Sequence, residues 1–173
     1  MTLVELVERY AQLEKRAVGF YRGLADRFAA NQAAARLWLE MSNTEASHFA
    51  LLELAQDWIT MAKGAGGMPA VTPEAVASLD ARHAALERAA EADGLSLEAA
   101  VGLSVDWEEL ELPRIVELSR HLPPPAQGRV MAGMVAEGAE HYRLLMDLVK
   151  AAGGAGHAGR VTALERAARD AIG

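Results

Sequence analysis

Apolar residues recur every three or four positions along most of the chain, and runs of β-branched residues are missing. This spacing places apolar side chains on one face of a helix, so the sequence predicts an all-α fold. We expect one domain over residues 1–152, built from four long helices, and then a glycine linker with a short tail helix over residues 153–173.

Capping residues, glycines and prolines set the limits of six predicted helices. The first two long helices and the last two are each predicted to form a hairpin. Thr72, followed by Pro73, begins a further helix in the long connection between these hairpins. This crossover lets the second hairpin pack beside the first. Pro113 lies inside a predicted helix, where we expect a kink. The predicted helices cover residues 3–30, 31–63, 72–94, 96–121, 127–152 and 161–172.

The composition excludes several classes of site and partner. With 173 residues, 51% of them hydrophobic, the chain suits one globular domain, and the lack of cysteine rules out disulfides, thiolate zinc sites and iron–sulfur clusters. A formal net charge of −7 and the lack of a basic run argue against nucleic acid as a partner. The acidic amphipathic start and the lack of a bilayer-spanning apolar stretch favour a cytoplasmic protein with no membrane segment.

Carboxylates and imidazoles interrupt the apolar stripe of each long helix. A Glu and a His three positions apart on the second helix project from one face, an arrangement that can hold a metal. The interrupting residues are Glu14 on the first helix, Glu45 and His48 on the second, Glu108 and Glu111 on the fourth, and Glu137 and His141 on the fifth.

These seven residues are predicted to share one level of the bundle. Antiparallel helices meet at equal distances from the turn that joins them, and at about 1.5 Å per residue the acids and histidines of each hairpin match to within a few Å. Burying them without counter-charge would cost several kcal/mol per ion, whereas two divalent cations would neutralise them. The mixture of oxygen and nitrogen ligands suits iron or manganese better than calcium or structural zinc.

Several residues also have simpler interpretations. A single acid on a helical stripe is more often paired with Arg or Lys, and an isolated Glu-x-x-His occurs often by chance. We expect His83, His121 and His157 to lie outside the site, and the tryptophans and methionines to fill the core. Tyr10 and Tyr21 either hydrogen-bond a metal-bound carboxylate or simply pack.

The order of these motifs resembles that of the rubrerythrin branch of the ferritin-like superfamily, over roughly residues 5 to 150. The match consists of Glu14 with Ala17 and Tyr21, Glu45-x-x-His48, Glu108-x-x-Glu111, and a final Glu137 and His141.

The resemblance implies a ferritin-like four-helix bundle with a long crossover and two iron ions, or alternatively manganese or a mixed pair. All seven residues become metal ligands. By the resemblance, Glu111 is a movable ligand and the candidate catalytic residue, while the other roles are bridging carboxylates at Glu45 and Glu137, capping histidines at His48 and His141, and terminal ligands at Glu14 and Glu108.

The chain departs from the family pattern at two points. Gly138 stands three positions before His141, so Glu137 must serve from four positions away, which a π-bulge or a shifted metal would accommodate. The cysteine-rich rubredoxin module of such relatives is missing, so electrons must come from a separate donor protein.

The leading functional hypothesis is a non-haem di-iron oxidoreductase that reduces hydrogen peroxide, or oxidises ferrous iron with peroxide or dioxygen. The alternatives are an iron-binding or storage protein without turnover and a structural helical module. Apolar outer positions at Leu37, Leu51 and Leu54 suggest a homodimer.

Overall fold

The computed structural model describes residues 1–61, 71–152 and 154–170, with the exception of the side chains at 119, 124–127, 129, 131–132 and 135–139. Over these residues the chain forms helices and no strand, which confirms the predicted all-α class. A short 3₁₀ turn at Ala155–His157 precedes the last helix. The helices are α1 (Leu3–Arg27), α2 (Gln32–Met61), α3 (Pro73–Glu91), α4 (Leu97–Ser119), α5 (Pro124–Ala151) and α6 (Ala158–Asp170).

Side-chain caps define most helix starts. The hydroxyl groups of Thr72 and Ser96 accept hydrogen bonds from the first turns of α3 and α4, as the sequence predicted. Thr2 forms a capping box with Glu5 at the start of α1. Asn31 lies just before α2 instead of inside it, and its Oδ1 accepts a hydrogen bond from the backbone of the first turn.

The observed helix ends differ from the predicted ones by up to three residues, and prolines explain one of these differences. We predicted that α5 would begin near Gln127, but it begins at Pro124, since the first helical positions need no intrahelical acceptor for an N–H group. Helix α4 continues past Pro113, and the kink there stays a prediction. The predicted end of the second helix, at Gly64 to Pro69, lies outside the described residues.

Four long helices surround one interior. Helices α1 and α2 pack as a hairpin, α2 packs against α5, and α4 contacts both α5 and α1. Helix α3, in the crossover, lies against α1 and α4, and Arg16 of α1 holds it by donating two hydrogen bonds, of 2.8 and 2.9 Å, to Glu87. Helix α6 packs on α5 and α4, where Arg160 pairs with Asp106 and Glu109.

The core consists of two apolar clusters with a polar layer between them. One cluster includes Tyr21, Trp38 and Trp107, and the other includes Leu6 and Leu52. Each cluster takes residues from α1, α2, α4 and α5, and along every one of these helices the predicted ligands lie where one cluster gives way to the other. The packing therefore sets all four helices at a common level around the polar layer.

The outer apolar surface is smaller than predicted. Leu37, which we expected to face outward, is buried in the core at 6% exposure, so that expectation was wrong, because α2 contacts α1 and α5 on two sides. Leu51 is partly buried and Leu54 is exposed, so the homodimer stays a prediction. Among the described residues, no helix is both long and apolar enough to cross a membrane.

A buried hydrogen bond ties α2 to α4 on one side of the polar layer. The indole of Trp38 donates from Nε1 to Ser104 Oγ at 3.0 Å, and this hydroxyl donates to the carbonyl of Ala100 at 3.1 Å. Both side chains are fully buried, and Ser104 lies one turn before Glu108. This contact therefore helps to set the height of α4 against α2.

Substitution Ser104→Ala is expected to lower the free energy of unfolding by about 1–3 kcal/mol, because it leaves the buried indole N–H of Trp38 without an acceptor. Urea denaturation measures the change. The control Thr60→Ala removes an exposed hydroxyl that donates to a carbonyl of the same helix, and it should cost no more than about 0.5 kcal/mol. Equal effects of the two substitutions would contradict the prediction.

Candidate metal centre

Six of the seven predicted ligands lie in the polar layer, with exposures between 1% and 9%. Helices α1, α2, α4 and α5 all contribute, as the apolar stripes predicted. The six residues are Glu14, Glu45, His48, Glu108, Glu111 and His141. Glu137 lies on α5, but its side chain is outside the described part of the chain, so its role as a ligand stays a prediction.

Five of these residues form two groups of potential metal ligands that share Glu45. One group is Glu14, Glu45 and His48, the other is Glu45, Glu108 and His141, and the ligand atoms within each group lie within 4.8 Å of one another. Glu45 Oε2 is 3.1 Å from His48 Nδ1, while Glu45 Oε1 is 3.4 Å from His141 Nδ1. The two oxygens of one carboxylate thus face two different imidazoles, as a bridging ligand requires.

Glu108 is oriented by neighbours on two other helices. Its Oε1 accepts a hydrogen bond of 2.5 Å from the hydroxyl of Tyr21 on α1, and it lies 2.9 Å from His141 Nε2 on α5. Of the two interpretations left open for Tyr21, hydrogen bonding to a carboxylate is the one observed. Such contacts around a ligand fix its orientation toward a metal.

Glu111 belongs to neither group of three. Its Oε1 accepts a hydrogen bond of 2.7 Å from Trp107 Nε1 and lies 3.9 Å from His83 Nε2. Its carboxylate is therefore held on the side of the layer that α3 covers. Glu111 is buried beside the two groups, and its role as a movable ligand stays a prediction.

The electrostatics of the layer are set by several buried acids that lie close to one another. In the described part of the chain, the ion pairs of Glu14, Glu45, Glu108 and Glu111 are made with histidine nitrogens. Burial, reinforced by the charge of Glu45, raises the pKa of Glu14 to about 8. Burial and the neighbouring carboxylates raise the pKa of Glu111 well above its ordinary value.

The pKa values of two histidines are raised, which favours a charged ring beside these acids. Burial disfavours a charged ring, but Glu108 and Glu45 outweigh it and raise the pKa of His141 to about 9. The pKa of His48 is likewise raised well above its ordinary value. For Glu45, burial is outweighed by His141 and His48, which lower its pKa to about 2. These shifts favour protons on the histidines and on Glu14 and Glu111, which reduce the negative charge of the layer when no metal is bound.

The residues fit a pair of divalent transition-metal ions. Among the described residues, the buried atoms Glu14 Oε2 and Glu45 Oε1 have no hydrogen-bond donor, which leaves lone pairs available inside the layer. Carboxylate oxygen and imidazole nitrogen are the donors that iron and manganese accept. Metal ions in the two groups would supply the positive charge that protons otherwise provide.

Two residues near the site were not predicted to take part in it. We expected Trp107 only to fill the core and His83 to lie outside the site, yet Trp107 donates to Glu111 and His83 lies beside it. The buried residues of α3 are Val76, Leu79 and His83, at a spacing of three and four. That apolar stripe is the sequence signal that could have placed His83 inside.

A narrow crevice between α1, α3 and α4 reaches the polar layer. Glu14 and Glu111 line it together with Leu79 of α3 and Arg114 of α4, and it contains about 200 Å³ of space including its open mouth. Glu14 and Glu111 therefore lie beside a small, mainly apolar crevice at the edge of α3.

The likeness of this chain to a known family is limited to its motif residues. Comparisons with protein-family models, with curated proteins and with solved structures gave no match. The resemblance to rubrerythrins therefore rests on the motif residues. The described residues form an all-helical fold with two groups of Glu and His that could each hold a metal ion.

Proposed function

We propose that the chain is a non-haem di-iron protein of ferritin-like architecture, an oxidoreductase that reduces hydrogen peroxide or oxidises ferrous iron with peroxide or dioxygen. The observation that carries the proposal is the position of Glu45, whose two oxygens belong to two different groups of potential ligands. Two adjacent metal positions joined by one carboxylate favour chemistry that uses both ions together.

Reduction of hydrogen peroxide to two water molecules requires two electrons and two protons. An iron pair, when bound, would supply the two electrons as each ferrous ion becomes ferric. A separate electron donor would then restore the ferrous state, because the chain has no cysteine with which to bind its own rubredoxin-type iron.

The residues around the site would divide the remaining tasks. Glu14 and His48 would hold one metal, Glu108 and His141 the other, and Glu45 both. Glu111, which lines the crevice, is the group that we assign to proton delivery, because it is buried beside the two ligand groups and belongs to neither. The apolar clusters on either side would exclude water.

Metal stoichiometry tests the bridging role of Glu45. We expect the two groups around Glu45 to bind about two ferrous ions in the wild-type chain, Glu45→Gln to lose both of these, and Glu14→Gln to retain about one of them. Anaerobic ferrous titration followed by desalting and elemental analysis measures the bound metal. The control Glu53→Gln changes an exposed acid of the same helix and should leave binding unchanged. Retention of two ions by Glu45→Gln would refute the bridge.

Peroxide consumption tests the proposed activity. One equivalent of hydrogen peroxide, added anaerobically to the protein loaded with two ferrous ions, is expected to oxidise both, as followed by absorption spectroscopy. With an artificial reductant in excess, peroxide should continue to disappear. A single oxidation without continued turnover would instead indicate iron binding or storage, while failure to retain any iron or manganese would leave only a structural role.

The metal-free protein is expected to lose stability as the pH rises from about 6.5 to about 8. Across this range the folded chain retains protons, because the pKa of His141 is raised to about 9 and that of Glu14 to about 8, whereas the unfolded chain has released them. Urea denaturation with a chelator present, at several pH values, measures the effect.

Ferrous ion should stabilise the protein more at the upper end of this pH range, because fewer protons then compete for the ligands. Unfolding under anaerobic conditions with a fixed excess of ferrous ion checks this expectation. Equal stabilisation at all pH values would show that the ion does not replace the protons of the polar layer.

A further inference from the structure

We propose that His83 Nε2 and Glu111 Oε1 together bind a divalent transition-metal ion on the α3 side of the polar layer. The crossover helix would thus supply a third imidazole to the metal centre. This inference extends the proposed function, on which it rests for the class of ion, by adding a residue that belongs to neither group of ligands around Glu45.

The hydrogen bonding of His83 leaves one nitrogen available for a metal. Its Nδ1 lies 3.0 Å from the carbonyl oxygen of Leu79, one turn earlier on α3. A carbonyl oxygen only accepts, so Nδ1 carries the hydrogen and Nε2 presents its lone pair. Metal-binding histidines characteristically donate their other ring N–H to a backbone carbonyl or a carboxylate in this way.

The buried environment of His83 Nε2 favours a bound partner. The His83 side chain is fully buried, and among the described residues Nε2 has no hydrogen-bond partner. Leaving a buried polar atom unpaired is destabilising.

The distance to Glu111 fits an ion between the two residues. Nε2 of His83 is 3.9 Å from Oε1 of Glu111, which is too long for a hydrogen bond. Two atoms that bind one transition-metal ion at about 2.0–2.2 Å each, from nearly opposite sides, are separated by about this distance. An ion at this position would give Nε2 its partner.

The surrounding contacts hold both residues in place. Trp107 donates to Glu111 Oε1, and its ring packs against the ring of His83 with 4.6 Å between centroids. The paired Arg16 and Glu87 hold α3 against α1. Leu79 and Glu111 also line the crevice between α1, α3 and α4.

Proton NMR of the protein loaded with cobalt(II) tests the proposal directly, because the N–H proton of a coordinated imidazole is shifted far outside the ordinary range by the paramagnetic ion. The Nδ1–H of His83 is buried and hydrogen-bonded, so its signal should exchange slowly with water. We expect His83→Gln to remove one shifted signal and to weaken binding of one cobalt ion by about tenfold or more. His121→Gln, at a partly buried surface position, is the matched control and should change neither.

Two further measurements keep the result decisive if His83→Gln does not fold, which circular dichroism would reveal. In the wild-type protein with ¹⁵N-labelled histidine, three imidazoles should respond to cobalt, and a response from only two would overturn the proposal. Glu111→Gln should also weaken the binding that depends on His83, and unchanged cobalt binding in both variants would overturn it as well.

The results for the variants at Glu45, His83 and Glu111 distinguish this inference from the proposed function. If Glu45→Gln abolishes binding of two ions while the variants at His83 and Glu111 have no effect, the two groups around Glu45 stand and the additional ligand is refuted. If cobalt binding depends on His83 and Glu111 but not on Glu45, the inference stands and the dinuclear site is refuted.

Discussion

The constraint on which the structure depends is the neutralisation of buried carboxylates between two apolar clusters. Glu14, Glu45, Glu108 and Glu111 are nearly inaccessible to water, and a buried ion without compensation costs several kcal/mol. Glu45 shows the compensation most clearly, since each of its oxygens faces a different imidazole. Protons or metal ions in this layer must neutralise the same carboxylates. The stability of the fold and any binding of metal therefore depend on the same interactions.

The apolar clusters make that coupling strong. They come from the same four helices as the ligands, so a shift of one helix would disturb both the packing and the height of a carboxylate. The hydrogen bond between Trp38 and Ser104 resists such a shift between α2 and α4. Low water content on both sides also lowers the local dielectric constant, which strengthens each contact between Glu and His.

The sequence predicted the layer because an acid in an apolar stripe is a strong departure from a regular pattern, and equal spacing from the turns set Glu14 level with Glu45 and His48. Other features depended on information that periodicity does not contain. The contact of Trp107 with Glu111 depends on side-chain rotamers, and the position of His83 depends on how the crossover packs. The start of α5 was missed because prolines suit the first turn of a helix as well as the end of the preceding one.

The crossover helix α3 connects the two hairpins and also places a histidine beside the polar layer. A chain that packs its second hairpin beside its first needs a long connection, and nothing in that need specifies a buried histidine. Here α3 places His83 against Glu111 and Trp107, and the carbonyl of Leu79 sets which nitrogen faces the carboxylate. Replacing Leu79 with another apolar residue would preserve that carbonyl, whereas replacing His83 would remove the nitrogen. The chemistry of this side of the layer therefore depends on one side chain and on the backbone that orients it.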